Sequence, residues 1–123
     1  MTIWEAISRA NALKPNGYED PIKVQWLDAL DRKIYNDIIS AHEGYPDVFE
    51  GYSEKTNQDT VLLAPDDYAD LYVYYIVSMI DYYNGETTRY VNDMQMYNSA
   101  YDSFVSYYNR TYTPVYKGNF KVI

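Results

Sequence analysis

The stretch DDYADLYVYYIVSMIDYYNGETTRYVNDMQMYNSAYDSFVSYYNRT, residues 66–111, decides the fold. Its apolar positions Tyr68, Leu71, Tyr72, Tyr75, Ile76, Met79, Ile80 and Tyr83 keep a three-four spacing until Asn84-Gly85 interrupts. That spacing puts one stripe on a helix from about 66 to 84. Asp66, Asp67 and Asp70 crowd its start, where the helix dipole favours negative charge. Glu86 then opens a second run carrying Tyr90, Met94, Tyr97, Tyr101, Phe104 and Tyr108. Steps of four and three in alternation form the seam of a helix packed on a near-antiparallel neighbour, so the stretch predicts a long αα-hairpin.

Upstream, Thr2 and Glu5 make a capping-box pattern, and Ile3, Trp4, Ile7 and Ala10 continue it as a short helix over 2–13. Lys14-Pro15-Asn16-Gly17 ends that helix. Asp20-Pro21 restarts it, with Asp20 as the N-cap acceptor and proline at the first helical position. The next stripe, Trp26, Leu27, Leu30, Ile34, Ile38 and Ala41, runs to about 42, with Asp28 and Arg32 paired on the wet side and Gly44 as the stop. From 45 to 64 the periodicity dissolves into a loop of a length that is usually functional or disordered. Thr60-Val61-Leu62-Leu63 allows one short strand at its end. After Arg110-Thr111, Pro114 stops the helix, and Tyr116, Phe120 and Val122 alternate with Lys117, Asn119 and Lys121 as an extended arm over 112–123. The reading is an all-α bundle of about four helices in one domain over 1–111, with an acidic loop at 45–64 and a C-terminal arm.

Composition narrows function. The 123 residues carry 10 Lys and Arg against 18 Asp and Glu, a net charge of −8, so the surplus that neutralises nucleic-acid phosphates is absent. Residues 45–70 alone hold seven acids and one base, whereas 71–123 are balanced at four and four. The absence of cysteine excludes disulfide scaffolds, thiolate metal sites and thiol catalysis. No window approaches the roughly 18 uninterrupted apolar residues of a membrane span, and Met1-Thr2-Ile3-Trp4-Glu5 is unlike a secretory signal, so a soluble intracellular product is expected.

Catalytic motifs are sparse. The one histidine, His42, sits where a cation complements a helix C-terminus. Asp66 and Asp70 share a helix face, but acids at a helix start need no catalytic explanation. Asp47, Glu50, Glu54, Asn57 and Asp59 offer oxygen ligands without the spacing of an EF-hand. Asn109-Arg110-Thr111 matches a glycosylation sequon but reads better as a helix end. No phosphate loop, nucleophile elbow or dinucleotide fingerprint is present, and neither enzyme activity nor cofactor nor metal is expected.

Tyrosine is the anomaly: 17 residues, against five Trp and Phe together. Most lie on the hairpin. Tyr74, Tyr82 and Tyr107 point away from the stripes on helical spacing and are the candidate subunit-contact residues, since tyrosine gives large contact area with a polar tip.

Leu62-Leu63-Ala64-Pro65, Asp70-Leu71-Tyr72, Tyr82-Tyr83-Asn84-Gly85-Glu86, Arg89-Tyr90 and Tyr107-Tyr108-Asn109-Arg110-Thr111 together resemble the small helical head-tail connector (adaptor) proteins of tailed phages and Firmicutes prophages. The resemblance implies a homo-oligomeric ring of about twelve copies under the portal, in which each subunit offers two different faces to its neighbours. Its implied partners are the portal, a stopper or tail-completion protein, and passing genomic DNA held without specific binding. Its implied place is the virion head-tail junction, with assembly in the host cytoplasm. On that view Asp47, Glu50, Glu54 and Asp59 form a loop facing the channel or a partner ring, where negative charge repels DNA. Tyr112, Pro114, Tyr116, Phe120 and Val122 form the arm that docks on portal or neighbour, with pairing of the arm to Thr60–Leu63 of the same chain as its alternative. A competing reading is an acidic DNA mimic, and a hydrolase using Asp66, Asp67 or Asp70 with a metal is the enzyme alternative.

Overall fold

The computed structural model describes residues 1–115, and their secondary structure is helical: α1 (Ile3–Leu13), α2 (Asp20–Asp37), α3 (Asp70–Asn84) and α4 (Thr87–Thr111). Short 3-10 turns at Ile39–Ala41 and Asp66–Tyr68 follow α2 and precede α3. The all-α bundle with its α3–α4 hairpin is as the sequence predicts. Gly85 caps α3 at φ +74°, a left-handed conformation that glycine adopts without a Cβ clash.

α3 is the central element. It packs on α1, α2 and, most extensively, α4. This requires burial on most of its circumference, and Leu71, Tyr72, Val73, Ile76 and Ile80 meet the requirement. α1 contributes Ile3, Ala6, Ile7 and Ala10 to the same core, and α2 contributes Val24, Leu27, Leu30 and Ile34. α4 reaches it chiefly through Tyr97 and Phe104. The capping box forms as read: Thr2 Oγ1 accepts from Glu5 N at 3.1 Å, and Thr2 N donates to Glu5 Oε1 at 3.0 Å.

Several local expectations are corrected. Trp4 is 57% exposed, because the face of α1 that meets α3 is set by Ile3, Ala6, Ile7 and Ala10 and the indole falls beside it. Glu19, not Asp20, caps α2, without a side-chain hydrogen bond. α2 stops at Asp37, and the following residues tighten into a 3-10 turn in which Ile39 and Ser40 are buried. α3 begins at Asp70 rather than 66, since the Asp66–Tyr68 turn comes first. Tyr83 is exposed at the hairpin end but stacks on Trp26, with ring centroids 5.7 Å apart and planes within 5°. Thr60–Leu63 forms no strand. Its backbone pairs with the chain's first residues through Ile3 N to Thr60 O at 3.0 Å and Leu62 N to Met1 O at 2.9 Å.

Buried charge organises the contacts between elements. Asp31, on α2 and fully buried, accepts from Tyr72 Oη of α3 and Tyr52 Oη of the loop, both at 2.5 Å, and from Leu63 N at 3.1 Å. The Tyr72 hydroxyl in turn accepts from Ala64 N at 2.8 Å. Burial pushes the Asp31 carboxyl up against the three donors that hold it down. Lys23, also buried, donates to Asn11 Oδ1 and Tyr18 O, both at 2.8 Å, and ties α2 to α1 and to the connection that follows it.

Replacing Asp31 with Ala leaves two hydroxyls and one amide without their acceptor. We expect a loss of about 3 kcal/mol in chemical denaturation, whereas Tyr72→Phe, which also removes the Ala64 acceptor, costs about 1–2 kcal/mol. Equal and negligible effects in the two variants would show that the buried carboxylate does not hold the elements together.

Candidate functional site

The loop between α2 and α3 is the region where sequence reasoning places most of the function, and its path follows from a few anchors. Gly44 and Gly51 turn it at φ +78° and +83°. At Gly51 the backbone crosses α2 so closely that a Cβ would lie 2.5 Å from an Arg32 guanidinium nitrogen and 2.7 Å from Asp28 Oδ1. The expected Asp28–Arg32 pair is present at 3.0 Å, and Asp28 also accepts from Tyr52 N at 2.8 Å. Phe49 packs between Tyr35 and Tyr52, with centroids at 6.0 and 5.3 Å, and the Arg32 guanidinium lies 5.4 Å from its ring centre. Tyr35 Oη donates to Pro46 O at 2.5 Å.

These anchors are aromatic and backbone groups, so the acidic side chains are left outside. Asp47, Glu50, Glu54 and Asp59 are all exposed. The loop is therefore a fixed framework carrying carboxylates in water. Val48 and Val61, 69% and 64% exposed, are apolar exceptions on its surface.

The start of the arm is attached to the opposite end of this loop. Glu43 N donates to Thr113 O at 2.8 Å, and Val115 N donates to Ala41 O at 2.7 Å. His42 sits beneath: Nδ1 donates to Ile38 O at 2.6 Å, Nε2 lies 2.8 Å from Asn109 Oδ1, and the ring meets Tyr108 edge-on at 4.8 Å. The histidine thus satisfies a terminal carbonyl, as expected, and also joins α2 to α4. Pro114 forms an isolated bridge with His42, so the described part of the arm pairs there and not with Thr60–Leu63. Tyr112 is exposed and packs at a tilt against Tyr108, with ring centroids 4.4 Å apart. Tyr116, Phe120 and Val122 lie outside the described residues.

The three tyrosines assigned to subunit contact have different surroundings. Tyr82, 58% exposed, stands at the hairpin tip beside Tyr83 and Tyr90. Tyr74 is half-buried and lines an open apolar cleft of about 360 Å³ between α1 and α3, with Arg9, Ala12, Leu13, Asp70 and Val73. Tyr107 does not stand clear of the fold: it packs on Tyr68, with centroids 4.7 Å apart. Asp66, weighed as a catalytic carboxylate, pairs with the N-terminal ammonium, which holds its pKa below the usual range. Among the described residues, no three His, Asp or Glu side chains are placed to hold a metal ion, and no helix is long and apolar enough to cross a membrane.

Sequence reasoning missed the polar residues at the hairpin tip. Lys14, just past α1, donates to both Asp81 of α3 and Glu86 of the turn. The available signal was a carboxylate inside an apolar row, since Asp81 continues the four-residue spacing of Val73 and Val77. Compared with protein-family models, curated proteins and solved structures, the chain shows no significant match.

Gly51→Ala forces a side chain into the left-handed region and against Arg32 and Asp28. We expect a cost of about 1–2 kcal/mol, with unchanged helical circular dichroism and faster proteolytic cleavage within 45–59. Unchanged cleavage would mean that the crossing at Gly51 does not fix the loop.

Proposed function

We propose that the chain is a structural phage neck protein, a head-tail connector that assembles as a ring below the portal and extends the DNA channel towards stopper and tail. The observation that carries this reading is the distribution of exposed large apolar side chains over separate faces. Trp4 and Leu13 lie on α1, Val48 and Val61 on the loop, Tyr82 and Tyr83 at the hairpin tip, and Val91 and Met96 on α4. A closed head-to-tail ring needs two different contact surfaces on each protomer, so apolar groups on several faces are what such a subunit requires. The resemblance of the tyrosine-rich hairpin segments to connector proteins supports the same conclusion.

On this reading the acidic loop lines or rims the channel. A row of solvated carboxylates repels the DNA backbone and lets the genome pass without adhering. The arm beyond α4 docks on the portal or a neighbouring subunit, continuing from a backbone already fixed at Ala41 and Glu43. Work is done by shape and charge, with no reaction catalysed.

Light scattering of the full chain, alone and with candidate portal rings, tests the proposal. A particle of about twelve copies, free or stacked on the portal, is the expected result. Deleting 112–123 is expected to preserve helical content and abolish attachment to portal-bearing heads. A monomer or dimer indifferent to every portal would overturn the reading and favour the DNA mimic, tested by competition with DNA for basic nucleases.

Converting Asp47, Glu50, Glu54 and Asp59 together to Lys is expected to leave assembly intact and slow genome release. Infectivity equal to the parent's would remove the loop from the channel.

A further inference from the structure

The hairpin tip contains more negative than positive charge, in a partly enclosed place. Asp81 is fully buried at the start of the last turn of α3. One of its oxygens accepts from Lys14, and the other, Oδ2, is buried without a donor. Lys14 divides its ammonium between Asp81 and Glu86. Across the seam, α4 carries the partly buried Asp93 between Tyr90 and Tyr97, on the face turned to α3, and Asp81 is the neighbour that acts most strongly on its carboxyl. Ring contacts between Tyr82 and Tyr90 at 5.6 Å and between Tyr75 and Tyr97 at 5.2 Å hold the two helices together on either side of this level.

The charged groups acting on Asp93 come from each neighbouring segment: Asp81 from α3, Lys14 from beyond α1, and Arg89 from its own helix. Glu86, in the turn, draws on the same Lys14 and lies 3.7 Å from Arg89. Arg89 is largely exposed, so its influence is screened. Three carboxylates therefore compete for one enclosed ammonium. The lowest-energy remedy for two facing carboxylates is to keep one proton between them.

We propose that Asp93 and Asp81 share a proton across the α3–α4 seam, making the hairpin tip a proton-operated latch. Protonated Asp93 donates to the orphan Oδ2 of Asp81 and closes the latch; ionised Asp93 repels Asp81 and loosens it. The inference is independent of the connector reading. What the latch controls is the tip itself, where Tyr82 and Tyr83 are exposed beside Tyr90, so the firmness with which this aromatic group is presented depends on pH.

The facing Asp81 and the partial burial push Asp93 up to about 6, from an ordinary value of 3.8. A folded-state value above the unfolded one means that the native state binds the proton more tightly. The stabilising contribution is then complete below about pH 4 and is lost as pH rises through about 6.

The test is a carboxyl carbon-13 NMR titration of the full chain, with the Asp93 signal assigned by its absence in Asp93→Asn, together with melting curves of both proteins. Asp93 is expected to titrate near pH 6. The carboxamide introduced by that substitution donates to Asp81 at every pH, so the variant should melt about 4 °C higher than the parent at pH 7.5 and only about half as much higher at pH 5. Amide exchange over 87–94, corrected for its intrinsic rate, should be faster in the parent at pH 7.5 than at pH 5. An Asp93 midpoint near 4, or an equal melting shift at both pH values, would overturn the proposal. If the variant fails to fold, the pH dependence of exchange in the parent decides, and exchange over 87–94 that is the same at both pH values sinks the latch.

Discussion

A carboxylate without water must be surrounded by donors, and Asp31 obtains them from three places distant in sequence. Tyr72 comes from α3, Tyr52 from the middle of the loop and Leu63 from its end. None of these donors reaches Asp31 until α2, α3 and the loop have come together, and no one of them suffices alone. The geometry is therefore all-or-none, which is how a buried polar network helps select one arrangement of helices that apolar packing alone would leave less defined. The loop gains most from it. A segment with few apolar residues is fixed because Tyr52 and Leu63 are obligatory partners of a group in the core, and Gly51 is the residue that lets the backbone come close enough.

The hairpin was legible because its periodicity is local. The alternation from Tyr90 to Tyr108 needs only the geometry of one helix, and Asn84-Gly85 marks the turn by backbone chemistry alone. The capping box of α1 is of the same kind. What the local pattern does not contain is the direction in which a short helix faces its neighbours: Trp4 fits the spacing as well as Ile3 does, and only the position of α3 decides between them. Asp31, Lys23 and Asp81 are a third category. Each continues an apolar stripe at helical spacing, as Asp31 does with Leu27 and Ile34, so each was visible as an anomaly. Their partners lie up to 67 residues away and no single-helix pattern names them. The candidate site was legible only in outline. The loop's acids stand in water as their composition implies, whereas its anchoring depends on contacts between distant segments.

The abundance of tyrosine has a structural explanation alongside its role at surfaces. A thin bundle with one central helix has more boundary than interior, and a ring with a polar end suits a boundary. Tyr72 fills core volume while its hydroxyl bridges Asp31 and the Ala64 amide. Tyr68 with Tyr107, Tyr75 with Tyr97, and Tyr108 with Tyr112 pair ring to ring along the hairpin. Phenylalanine at these positions would pack comparably but expose an apolar edge. Tyr107 illustrates the point: helical spacing alone assigned it to a contact surface, and the neighbouring turn at Asp66–Tyr68 supplies the ring it covers.

The same economy separates the charges into two populations with different physics. Carboxylates on the loop are solvated, mutually screened and nearly interchangeable, so their effect is collective and falls with ionic strength. Asp31, Asp81 and, in part, Asp93 are enclosed, where screening is weak and a carboxylate depends on a few named donors, three for Asp31 and one for Asp81. A partner approaching the loop meets a diffuse negative field and disturbs little of the fold. One that binds the hairpin tip touches Tyr82 and Tyr83 directly above the Lys14–Asp81–Glu86 group, where displacement of a side chain changes the balance of buried charge. The tip is thus an exposed region of the described structure in which surface contact and core electrostatics are coupled.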